Sequence, residues 1–148
     1  MTPRRPAVRH ILLAICVLFA PATSALEVQD LKAFAPLFGR YAPAGDCKRQ
    51  PQVVVDAGGM SFEVAGKTER VTRLEFAASY GGNFYEGTSQ WFFPFGTPGD
   101  WPVLMTFNAG EQAGTMTIEG HGQGWKGGPP LSPRNRALVD GSPYRRCK

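Results

Sequence analysis

The clearest alternation of apolar and polar positions begins at Val53. Val53 and Val55 lead into a turn at Asp56-Ala57-Gly58-Gly59, after which Met60, Phe62 and Val64 alternate with Ser61, Glu63 and Ala65. Period two on both arms predicts a hairpin with one buried face. Two longer runs, Arg70 to Tyr80 and Asn83 to Phe93, flank Gly81-Gly82, a pair suited to a tight hairpin turn. That turn sets Tyr80 opposite Asn83. One face then carries Leu74 and Phe76 with Trp91, and the other carries Arg73 and Glu75 with Phe92, Gln90, Thr88 and Glu86. A third hairpin is predicted from Val103, Met105 and Phe107 ahead of Met116 and Ile118.

Helical spacing is confined to the two ends of this region. Val28, Leu31, Phe34, Leu37 and Phe38 predict a short helix, with Gly39 to end it and Pro36 set against its last turn. Ser132-Pro133 supplies an N-cap and a first-turn proline for a second short helix through Val139, stopped at Gly141. Proline- and glycine-rich loops, Pro94 to Pro102 and Gly120 to Pro130, connect the remaining elements. The expected fold is all-β and mainly antiparallel: a small meander barrel or sandwich with short N- and C-terminal helices. Gly39-Arg40-Tyr41, a glycine with an aromatic residue two positions on, resembles the start of lipocalin-type barrels over those three residues.

The N-terminus follows a different pattern. Arg4, Arg5 and Arg9 precede an uncharged apolar run from Ile11 to Ala20, then Pro21 and the small residues Thr23, Ser24 and Ala25. Basic, apolar and small segments in that order predict a secretory signal over residues 1–25 and one domain over 26–148. The apolar run is shorter than the roughly 20 residues of a membrane-spanning helix, so no span is expected in the mature chain. Cys16 follows Ile15 rather than a small residue and belongs with the leader.

Processing changes the charge balance. The whole chain carries 16 Lys and Arg against 12 Asp and Glu, but three arginines leave with the leader, so the mature domain is 13 against 12. Near-neutrality argues against a nucleic-acid partner. Cys47 and Cys147 are the cysteines left in a chain bound for an oxidising compartment, and they are expected to pair.

Candidate chemistry is sparse. Glu75 and Glu86 fall on one face in the register above, beside Arg73 and Gln90, and paired carboxylates are what glycoside hydrolysis requires. A solvated outer face, on which Arg73 and Glu75 neutralise each other, explains the same pattern. His121 sits in a glycine-rich loop with Trp125, a composition that permits close approach of a ligand or simply a connection. Trp101, with the dense run Trp91, Phe92, Phe93 and Phe95, suggests core packing or a contact surface. Gly122-x-Gly124-x-x-Gly127 matches a dinucleotide fingerprint, but Pro129-Pro130 stand where its helix must start. Lys48, Arg49, Arg145, Arg146 and Lys148 gather at one pole if the disulfide forms. No catalytic constellation, metal set or cofactor follows from these residues.

The expectation is therefore an exported, non-enzymatic binding or accessory module of a bacterial-type envelope, engaging a protein, a carbohydrate or another envelope component. Its candidate binding residues are Arg73, Glu75, Glu86, Gln90, Trp101, His121 and Trp125. A small hydrolase centred on Glu75 and Glu86 is the alternative, and a structural envelope-assembly component is a third.

Overall fold

Alternating runs of Val, Met and Phe fold as antiparallel strands in a computed structural model that describes residues 26–77, 85–96, 101–121 and 130–148. The strands are β1 (Leu26–Val28), β2 (Gly39–Pro43), β3 (Gln52–Asp56), β4 (Gly59–Val64), β5 (Lys67–Val71), β6 (Leu74–Ala77), β7 (Gln90–Phe93), β8 (Val103–Phe107), β9 (Thr115–Gly120) and β10 (Tyr144–Arg146). They form one sheet in the order β1-β6-β7-β8-β9-β10-β2-β3-β4-β5. The sheet curls into a half-barrel whose two margins among the described residues are β1 and β5. Among the described residues one α-helix, α1 (Pro133–Asp140), packs against β9 and β4.

Alternation assigns the faces. Tyr41, Val53, Val55, Met60, Phe62, Leu74, Phe92, Met105, Phe107, Met116, Ile118 and Tyr144 all point inward and are at most 2 % exposed. Burying each such side chain contributes about 1.5–3 kcal/mol. The rings interlock: Phe34 meets Phe76 at 4.9 Å and Phe92 at 5.0 Å, and Tyr41 meets Phe107 edge-on at 5.4 Å. Buried hydroxyls find acceptors, Tyr41 donating to the Leu37 carbonyl and Tyr144 to that of Leu138.

Several expected elements are present. Ala57-Gly58 closes the β3–β4 hairpin, with Asp56 opposite Gly59. Gly59 adopts φ +137°, and a side chain there would strike the Val71 carbonyl. The β8–β9 hairpin forms, and α1 starts from Ser132, whose Oγ accepts from the Asn135 N–H at 3.2 Å.

Three expectations are corrected. The N-terminal helix does not begin at Val28, which lies in β1; the turn that forms is a 3-10 helix over Lys32–Leu37 containing Pro36. Proline removes a backbone donor and clashes with an α-helical turn, so the tighter and shorter form results. Arg70 to Tyr80 is not one strand: β5 pairs with β4 across Ala65-Gly66, and the chain crosses to β6 after Val71.

The third correction concerns register. Ala77 faces Trp91, Phe76 faces Phe92 and Glu75 faces Phe93, five positions from the pairing that a Gly81-Gly82 turn would set. An odd slip exchanges the faces, so Phe92 is in the core while Trp91 and Phe93 lie outside. Gly81-Gly82 lies outside the described residues.

Candidate functional site

Glu75 and Glu86 are separated by this register. Glu75 stands on the outer face of β6 between Glu27 and Phe93, whereas Glu86 is exposed in the segment before β7. Cross-strand adjacency, on which paired carboxylate chemistry depends, is absent between them. Arg73 is committed to Glu27 by two hydrogen bonds of 2.9 Å. Gln90 faces Phe107 on the inner side, opposite in sense to Glu75.

Trp101 and His121 do come together, over Phe93 on the outer face. Trp101 stacks on Phe93 at 4.8 Å, and His121 meets Phe93 edge-on at 5.1 Å. Phe93 is thereby sealed to 5 % exposure although it lies outside the barrel. This is a small satellite core that fastens loops to the sheet. The Trp101 indole N–H is buried without a hydrogen-bond partner. Trp125 lies outside the described residues.

Glu111 performs a similar fastening role at the β8–β9 tip. Its carboxylate accepts from the Thr88 N–H at 2.6 Å, from the Ser89 hydroxyl at 3.0 Å and from the Tyr85 hydroxyl. These bonds, led by the Thr88 backbone and then the Tyr85 hydroxyl, hold it at about 2, against an ordinary 4.5. The carboxylate is saturated by donors, an arrangement that anchors the segment before β7.

The basic pole forms as expected, because Cys47 and Cys147 are bonded with Cα atoms 5.9 Å apart. Arg146 turns inward from it, donating to the Tyr41 hydroxyl and the Pro36 carbonyl and so closing that end of the half-barrel. Lys48, Arg49, Arg145 and Lys148 remain exposed.

The concave feature missed by sequence reasoning lies at the other margin. A groove of about 800 Å³ runs between β5 and the start of α1, a size typical of ligand sites, roughly 300–1,000 Å³. Phe62, Val64 and Ala137 contribute apolar surface to it, and Lys67, Glu69 and Arg134 are charged. Glu69 and Arg134 form an ion pair, and the Arg134 guanidinium also lies 3.6 Å from the Phe95 ring centroid. Lys67 has no ion-pair partner among the described residues. Its placement follows from the two-residue turn Ala65-Gly66, both at positive φ. The Ala65-Gly66 pair at the end of the alternating run was the available signal.

Comparison with known proteins finds no matching family, no similar curated protein and no similar solved structure.

Among the described residues, no group of three or more His, Cys, Asp or Glu side chains is placed to hold a metal ion. No helix among them is long and apolar enough to cross a membrane.

Proposed function

We propose that the chain is an exported, disulfide-braced binding module of a bacterial-type envelope, non-enzymatic, with its ligand site in the groove between β5 and α1. The observation that carries this reading is the groove itself: apolar surface beside charged groups, at the β5 margin of a half-barrel with an apolar core. Its acid, Glu69, is already neutralised by Arg134. Such a composition recognises a ligand by shape and charge and has no free carboxylate to move a proton. Export is supported by the basic, apolar and small-residue order of the N-terminus and agrees with the Cys47–Cys147 bond.

Ala137→Trp fills the groove from α1 at a partly exposed helix position. With the oxidised protein as bait, capture of a ligand from envelope extract should be lost in the variant while its thermal midpoint is kept. Capture unaffected by Ala137→Trp would overturn the site. Hydrolytic turnover abolished by Glu75→Gln would instead favour the enzymatic alternative.

A further inference from the structure

The register of β4 and β5 determines which backbone groups of β5 are free. In a two-residue hairpin the residues flanking the turn, here Val64 and Lys67, exchange both of their hydrogen bonds. Lys67, Glu69 and Val71 therefore use their N–H and C=O groups on β4. Thr68 and Arg70 direct theirs away from the sheet, and no described strand pairs with β5 on that side.

Edge strands are often protected by charged side chains that obstruct pairing. On β5 two of the three charges, Arg70 and Glu69, are drawn aside. Arg70 is tied back to Asp56 at 2.9 Å and to Ser61 at 3.0 Å on the outer face. Glu69 is held by Arg134 from α1. Among the described residues the main-chain edge at Thr68 and Arg70 is left unpaired, with the apolar groove alongside it.

Charge selects the occupant. Glu69 and Arg134 cancel, leaving the Lys67 ammonium beside the groove, and the N-terminus of α1, which also lines it, adds positive potential. A strand laid against β5 turns every second side chain toward the groove. We infer that β5 is a docking edge for an extended partner peptide that adds a strand to the sheet, setting an acidic side chain beside Lys67 and an apolar one in the groove. This rests on the groove being the ligand site, as proposed above, and adds the chemistry of what fills it.

The probe is a random-peptide display library panned against the oxidised protein produced from the full chain. Enriched peptides should carry an acidic residue two positions from an apolar one. Bound peptide should slow amide exchange at Thr68 and Arg70, read by NMR, and shift Phe62, Val64 and Ala137. Lys67→Glu should weaken binding about tenfold or more. Thr68→Pro removes one outward N–H at an edge position that tolerates proline, and should abolish binding. If that variant does not fold, the exchange data and Lys67→Glu still decide.

Peptides that shift the groove residues yet leave Thr68 and Arg70 exchange unchanged would overturn strand addition while preserving the groove as the ligand site. Peptides that perturb neither would overturn both. Failure to enrich any peptide would also overturn the inference.

Discussion

Replacing Phe92 by alanine should cost far more stability than replacing its neighbour Trp91, although tryptophan is the larger residue. Phe92 is fully buried, with ring centroids of Phe34, Phe76 and Phe107 at 5.0, 5.2 and 5.7 Å. Truncation at such a site removes about 3–5 kcal/mol through lost transfer energy and the cavity left behind. Trp91 lies on the outer face, partly exposed, with an edge-on contact to Tyr85 at 4.8 Å. Its loss should cost about 1–2 kcal/mol.

The gap of roughly 2–3 kcal/mol is large against the ~5–15 kcal/mol of a typical domain. Urea unfolding followed by circular dichroism, with the disulfide intact, reads it directly. At a slope of about 1–3 kcal/mol per molar urea, the Phe92→Ala midpoint should fall about 1 M or more below that of Trp91→Ala. Equal midpoints, or the reverse order, would refute the register of β6 and β7, because only an odd slip exchanges which of the two neighbours is buried. Phe92→Leu supplies the comparison if the alanine variant does not fold.

Acid should loosen the segment before β7. Glu111 is held at about 2, against an ordinary 4.5, so its stabilising contribution is complete above the higher value and is lost as pH falls toward the lower. Glu111→Gln should be less stable than the parent at neutral pH, with the difference shrinking across that window; a constant difference would contradict the assignment. Removing the disulfide with Cys47→Ser and Cys147→Ser opens a closure spanning 100 residues, worth up to about 4–5 kcal/mol in the chain-entropy model. The urea midpoint should drop accordingly, and free thiols in the parent protein would show that the bond is not used.

The local elements were legible where pattern and turn chemistry agreed. Val53 through Val64 announced its hairpin because alternation flanks Ala57-Gly58, and Ser132-Pro133 announced α1 because capping is a local interaction. The pairing of Cys47 with Cys147 followed from there being no other cysteine after residue 25. β1 and β10, three residues each, left no periodicity to find.

The candidate site was much less legible. Gly81-Gly82 suggested a tight turn, and everything placed by that turn, including Glu86 opposite Ala77, moved when the register proved five positions different. Local composition cannot choose between registers, because each offers a plausible set of cross-strand neighbours; burial of Phe92 against Phe34 and Phe107 does so, and those rings come from distant elements. The groove is likewise a product of long-range packing, since Glu69 and Arg134 are 65 positions apart. Sequence alone determined the antiparallel all-β character, the capped C-terminal helix and the two cysteines available to pair. Tertiary structure decided which face each ring occupies and which strand is left as an open edge, because both depend on strand order, and strand order is set by how the whole apolar surface closes on itself.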